Sequence, residues 1–584
     1  YDVAKLNKYT SFIGNIMAAR ISSLWDFNGP AFTVSAEENS VFKCLDLAQD
    51  LLGTSDVDAV VVAAVDLSGS LENVMLRQQM NPLNTADHSM GFNDSVNGWS
   101  VGEGAGAVVL KRSIDATSAN QRTYCQIDGI GFSAGSDANA VASASNDALD
   151  QAGLVATDIG YIEAFASGNR HEDQQEIAGL NAVYHSAENA ADSSVSANEK
   201  AIAIGSVKAN IGHTYSASGM ASLIKTALCL KNRYIPGVPN WQAPSDRSVW
   251  DSSAFYVQNE SKNWLTENRR CASISGLGAD DTAAHVVLSE PSQQYQACSS
   301  KDSKLNVEDN STLVLVQGNS QEQLVDALIR CEARINKVSL RHLAAEQFSV
   351  SVGKKSKYIV ALLASTSKQL AQEVGAAKNG VEKAIQSGKT WVTPNGSVFA
   401  PASLGPDAKI SFVYPGGFAS YIGLGKDIFR LFPEMMDTMK AHTHRLDSMI
   451  GDKLFHPRTV EALDKDQTKA LSRDLIHTPI AMFESGICYA KLLTEILSKQ
   501  FNVSSQSAIG YSMGEISMMY AMDVWDSADK MSELLHTLPV FRTRLAGPMD
   551  TVREAWSIDA SVPDEDIWAG LYGESAGRSG SSRC

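Results

Sequence analysis

The sequence predicts an α/β protein built in layers, and three observations carry that prediction. Continuous apolar runs of the buried-strand type recur through the first 290 residues, VDAVVVAAVDL (57–67) being the clearest. Glycine-bearing turns adjoin others, as in GEGAGAVVLKR (102–112), IGYIEAFASG (159–168) and KAIAIGSVKANIGH (200–213). Helical patterns alternate with these strands, which is how layered α/β architecture looks in sequence. At 584 residues the chain is too long for one ordinary core, so several domains are expected.

Three parts follow in order. Residues 1–290 hold the strand–helix alternation and close on ASISGLGADDTAAHVVLSE (272–290), a strand, a turn and a strand. Residues 291–408 read as a small α+β linker. It opens on polar SSKDSKLNVEDNS (299–311), then repeats a β-then-amphipathic-helix order at 311–335 and 357–385. Residues 409–575 begin with ISFVYPGG (410–417), a strand running into Pro-Gly-Gly. A long apolar-faced helix (477–497) comes next, then SAIGYSMGEISMMYAM (507–522), read as strand, turn and helix. There is no initiating Met, and AGRSGSSRC (576–584) matches nothing upstream, so the chain reads as a fragment with an extraneous tail.

Composition narrows the function. A net charge of −17 argues against a nucleic-acid partner, which needs a basic footprint. No run of about 18 apolar residues is present, so no membrane span is expected. The first residues lack the basic-then-apolar pattern of a signal peptide. Eight cysteines are scattered with no CxxC pair, so neither a metal site nor a disulfide framework is indicated, and a reducing cytoplasm is the expected location.

Gly510-Tyr511-Ser512-Met513-Gly514 fits G-x-S-x-G. In that motif a serine sits on a strained strand-to-helix turn that exposes its Oγ, and the flanking glycines let the backbone close around it. The Met513 N–H opens the helix and is a candidate oxyanion donor, and amides of the Pro415-Gly416-Gly417 strand exit are candidates for the second. These residues resemble the acyltransferase (malonyl transacylase-type) domain of fatty acid and polyketide synthases, which pairs F-x-F-P-G-Q-G with G-H-S-x-G-E. Phe412, Pro415 and Gly416 match the first pattern, and Gly510, Ser512, Gly514 and Glu515 the second. The family's Gln falls on Gly417 and its His on Tyr511, changes that spare backbone donation but not side-chain interactions. The resemblance implies Ser512 as nucleophile, Gly417 and Met513 as oxyanion donors, and an arginine for a substrate carboxylate. Arg542 and Arg544 are the candidates, with Arg544 preferred. It also implies a general-base histidine well downstream. His536, on a helical stretch, comes too early, and a serine without its base is a poor nucleophile.

The first part becomes legible beside this. Gly14-Asn15, Ala18–Ser22, Gly29-Pro30, the strand Phe32–Val34, Gly102–Gly106, Glu163-Ala164, Gly205–Thr214 and Ala284–Leu288 resemble the C-terminal two-thirds of a β-ketoacyl synthase, a thiolase-type fold. A condensing enzyme of that family holds a cysteine at a helix N-terminus, where the helix field lowers the thiol pKa, and two histidines. In family register the cysteine falls on Glu38 and the first histidine on Phe165, while His213 keeps the second place, with Lys208 near it. A carboxylate cannot form the thioester, and Cys44 lies within the helix, so the resemblance implies a scaffold of the chain-length-factor kind.

A degenerate ketosynthase region followed by an acyltransferase resembles the layout of omega-3 polyunsaturated fatty acid synthases. The implied activity is acyl transfer between CoA and carrier-protein phosphopantetheine thioesters, with no tightly bound cofactor. Acyl carrier protein domains and other synthase subunits are the implied partners, with a ketosynthase-type dimer. Two other readings stay open: a non-catalytic scaffold, and an acyl-thioester hydrolase using the same serine.

Overall fold

The structure is a computed structural model. It describes residues 14–570 apart from 55, 80, 186–199, 292–310, 352, 354–355, 403–407, 418, 476–477, 526–527, 545–547, 565 and 568–569. The 576–584 tail therefore lies outside the described residues. Two compact units are present, one of residues 1–301, 413–503 and 509–584, the other of 302–412 and 504–508.

In the first unit, β1 (Val60–Asp66) and β2 (Gly104–Leu110) pair antiparallel. Next come β3 (Gln126–Ala134), β4 (Ile159–Glu163), β5 (Ile202–Gly205), β6 (Tyr234–Ile235), β7 (Phe255–Val257), β8 (Lys262–Asn263), β9 (Cys271–Gly278) and β10 (Thr282–Ser289). A six-stranded mixed sheet runs in the order β3-β10-β9-β4-β5-β7. Within it β4 is parallel to β5 and β9, and β10 is antiparallel to β3 and β9. The β9–β10 turn takes Asp281 to φ +59°, a conformation aspartate tolerates better than most residues, and returns the Asp281 N–H to Gly278 O at 3.0 Å.

Helices cover both faces of this sheet, which is why β9 and β10 are buried along almost their whole length. One core joins Ala138–Ala152 and Arg170–Tyr184 to Ile159, Ile162, Leu277 and Val287. The Asp137 carboxylate caps the first of these helices by accepting from the Ala140 N–H at 2.9 Å. The other core joins Ser40–Gly53 and Ser218–Asn232 to Tyr161, Ile274, Val286 and Leu288, and then to Val62 of β1. The layers are therefore helix, sheet, helix and the β1–β2 ribbon. Phe32–Val34, expected as a strand, has no ladder partner; instead the Thr33 N–H and hydroxyl both donate to Asn15 Oδ1, at 3.0 and 2.9 Å.

Most of the expected third part shares this unit with residues 1–301, while 409–412 and 504–508 fall in the other. Its core gathers Met435, Met439, Met449, Phe455, Leu492 and Tyr520 around the helix Pro479–Lys499, and Leu265 from the first part joins it. In the second unit β11 (Thr312–Gly318), β12 (Tyr358–Ala364), β13 (Trp391–Val392) and β14 (Val398–Phe399) form an antiparallel sheet in the order β11-β12-β14-β13. Val314, Val316, Val360 and Leu362 point inward against helices 321–332, 340–351 and 367–387, while Leu313 and Ile359 face out, the period-2 alternation of a one-sided sheet. Short strands β15 (Ser411–Tyr414) and β16 (Ser507–Gly510) form a two-stranded sheet. No described helix is long and apolar enough to cross a membrane.

Candidate functional site

Two places carry chemistry-bearing residues. The first is the turn between β16 and the helix Met513–Ala521, where Ser512 takes φ +55° and ψ −124°. A left-handed φ is rare for a side chain other than glycine and marks strain held by its surroundings. Ser512 is exposed on this turn. A Cβ on Gly510 would lie within 3.0 Å of the Glu515 nitrogen, and one on Gly514 within 3.0 Å of the Tyr414 and Pro415 carbonyl oxygens, so neither place accepts a side chain. The Tyr511 N–H donates to Tyr414 O at 3.2 Å, tying the elbow to the end of β15. Gly416 lies against Ser512 Cβ, its own Cβ direction passing 3.3 Å away, and Gly417 next to it faces open space. The Met513 amide opens the helix, where a backbone N–H has no intrahelical acceptor. The expected nucleophile and the strand exit carrying Gly417 are thus brought together.

The other expected members lie on later elements of the chain. The His536 ring meets Glu484 Oε1 at 3.1 Å, and the Ser532 hydroxyl donates to the same oxygen. Arg542 and Arg544 lie exposed on the turn Val540–Arg544. Among the described residues no hydrogen bond or ion pair joins Ser512 to any of them.

The second place is a cavity of about 220 Å³ lined by Glu38, Trp99, Phe165, His213, Tyr215 and Ala279 among others. Glu38 stands in a 3₁₀ turn, Glu37–Asn39, that leads into the helix Ser40–Gly53; Glu37 makes the bend at φ +46°. Glu38 Oε2 accepts the Ala279 N–H at 2.9 Å. Burial raises the Glu38 carboxyl pKa, and that hydrogen bond opposes the rise. Phe165 follows β4, its N–H and that of Ala166 donating to the two Glu176 oxygens at 2.7 and 2.8 Å. Its ring stands edge-on to His213, centroids 5.5 Å apart, and carries the Lys208 ammonium 4.2 Å from its centre. Cys44 lies inside the helix, and burial raises its thiol pKa, so it supplies no substitute nucleophile.

Sequence reasoning named Glu38, Phe165, His213 and Lys208, and the fold assembles them. It missed the Ala279 amide, which sits in the GLGAD turn, and Tyr215, whose N–H donates to His213 Nδ1 at 3.1 Å. That bond leaves the His213 proton on Nε2. Desolvation, with the Lys208 and Arg77 charges, holds the His213 pKa well below 6.5. The unfolded chain therefore binds more protons there, and stability is lost as pH falls below 6.5. Urea midpoints at pH 5 and 7.5 should differ less in His213→Asn than in the parent. Desolvation brings Lys208 down to about 8, against the pull of Glu163 and Glu176.

Residues 3–116 match the family model for the beta-ketoacyl synthase N-terminal domain, and 124–242 the model for its C-terminal domain. The described residues among them carry the thiolase-like ketosynthase fold. The chain is 29% identical over 97% of its length to a polyunsaturated fatty acid synthase polypeptide of Thraustochytrium sp., of which it spans 28%. It is 29% identical over 53% of its length to polyketide synthase PksL of Bacillus subtilis, spanning 7% of that protein. A solved structure described as PfaC keto synthase–chain length factor is 42% identical, with a TM-score of 0.38, covering 49% of this chain and 26% of that one. The cavity holds Glu38 and Phe165 at the places where the family resemblance implies cysteine and histidine.

Proposed function

We propose that this chain belongs to a polyunsaturated fatty acid synthase subunit of the PfaB type. Its Ser512 moves malonyl or longer acyl groups from CoA to a carrier-protein phosphopantetheine thiol, on a ketosynthase-type scaffold that condenses nothing. The observation that carries the reading is the Ser512 elbow, strained at φ +55° and set against the Pro415-Gly416 exit. Ser512 Oγ attacks the thioester carbonyl, the C–O bond forms, and the C–S bond breaks. The proton leaving Oγ passes through a base to the departing CoA thiol. The oxyanion formed on the way is met by the amides of Met513 and Gly417, and Arg544 is the candidate for a substrate carboxylate. The carrier thiol then reverses these steps. No tightly bound cofactor takes part. Carrier protein domains and other synthase subunits are the partners, the ketosynthase-type region pairs as a dimer, and the setting is the cytoplasm.

A non-catalytic scaffold is the second reading, favoured by the engagement of His536 with Glu484 and by Tyr511 and Gly417 in place of the family's His and Gln. Labelled malonyl-CoA and long-chain acyl-CoA separate the two. An adduct lost in Ser512→Ala and passed to carrier protein supports transfer; its absence from the natural full-length polypeptide leaves the scaffold. Release into water alone identifies a hydrolase.

A further inference from the structure

We propose that residues 452–462 form a clasp through which the ketosynthase-type region holds the helix bearing the Ser512 elbow in place, giving the nucleophile-less region a positioning function of its own. The centre of the clasp is ionic and buried. Lys262 Nζ meets Asp452 Oδ2 at 3.0 Å, each side chain 4% exposed, and Arg458 Nη2 approaches the same oxygen at 3.5 Å. Both cations flank the Tyr256 ring of β7, at 5.7 and 5.3 Å from its centre.

The segment then runs along the edge of the six-stranded sheet. The Val257 N–H of β7, an edge strand, donates to Thr459 O at 3.1 Å. The Trp241 indole N–H donates to Val460 O at 2.8 Å, and the Ala462 N–H to Gln242 O at 2.8 Å. Arg247 closes the end with Glu461 at 2.6 Å. One backbone bond thus meets the open sheet edge at Val257, and two more hold the segment to Trp241 and Gln242. The cores interlock as well: Val460 belongs to the core of the ketosynthase-type region, and Leu265 to the core around the helix Pro479–Lys499.

From the clasp a packed path leads to the serine. Phe455, at the end of the short helix begun by Asp452, meets the Tyr489 ring with centroids 6.2 Å apart. Tyr489 lies on the helix Pro479–Lys499, and its hydroxyl donates to Leu424 O at 2.9 Å. One turn earlier on that helix, the Cβ direction of Gly486 passes 3.0 Å from Met513 Cε, beside Ser512. These contacts form a packed path from Asp452 to the elbow, and on the proposal a shift at Asp452 is felt there.

Hydrogen exchange tests this on the full chain and does not depend on whether Ser512 takes an acyl group. Lys262→Met leaves the Asp452 carboxylate buried without its nearer cation, the costly way to break such a pair. Exchange in 479–521 should become on the order of a hundredfold faster, together with 255–264. Lys262→Met/Asp452→Met removes both of those charges but leaves Arg458 without its carboxylate, and should recover part of the protection in 479–521. If Lys262→Met does not fold, Arg247→Ala, at the exposed end, should still speed exchange in 479–521 several-fold. Faster exchange confined to 255–264 and 452–462, with 479–521 unchanged in any soluble variant, overturns the proposal.

Discussion

Gly514→Ala should abolish acyl-adduct formation at Ser512 while leaving the ketosynthase-type region folded. The added methyl would enter the space of the Tyr414 and Pro415 carbonyl oxygens, within 3.0 Å of both, where no Cβ is accommodated. Backbone carbonyls cannot swing aside as a flexible side chain does, so the strand exit and the helix start must separate. That moves Gly416 and Gly417 from Ser512 and parts the two proposed oxyanion donors. Loss of one such donor slows reaction by about 10²–10³-fold, and loss of the shared geometry costs at least as much. Gly417→Ala is the control. Its Cβ meets nothing within 4 Å and its N–H is kept, so its rate should stay within a few-fold of the parent. The check is the rate of acylation by labelled malonyl-CoA in the natural full-length polypeptide.

Glu163→Leu should be the most destabilising single change in the ketosynthase-type region. Glu163 is fully buried. Its carboxylate accepts from the Tyr161 hydroxyl and the Val207 N–H, both at 2.6 Å, and pairs with Lys225 Nζ at 2.8 Å. Leucine answers none of these donors and strands the lysine charge, a change worth about 3–5 kcal/mol. The urea midpoint of the tryptophan fluorescence transition should fall sharply, and Glu163→Gln, which still accepts from Val207, should fall less. The hub fixes Val207, which leads into the short helix Lys208–Ile211 and on to His213.

How much of this could be read beforehand differs from site to site. The Ser512 elbow was legible because the requirement is local: two glycines, a serine and a strand-to-helix change within one pentapeptide. Glu38 and Phe165 stood out as the wrong residue types in otherwise well-matched runs, and the fold sets both on one cavity. The partner of Glu38 was not legible, since the Ala279 amide is distant in sequence and only the β9–β10 turn delivers it. Phe32–Val34 has strand composition, but a strand needs a neighbour, and the described residues give it none. The clasp was invisible for a similar reason. DKLFHPRTVEA (452–462) has neither helical nor strand period, and its order comes from the β7 edge, Trp241 and Lys262 in another part of the chain. Residues 413–503 and 509–584 fall in one compact unit with residues 1–301.

The central claim is that the chemistry lies at Ser512 and has left the ketosynthase pocket. Peptide mapping by mass spectrometry, after incubating the natural full-length polypeptide with malonyl-CoA and a long-chain acyl-CoA, tests it most directly. The account predicts one acyl adduct, on the peptide containing Ser512, absent in Ser512→Ala and discharged by carrier protein. An adduct on the Glu38–Cys44 peptide, or none on Ser512 with either thioester, contradicts it.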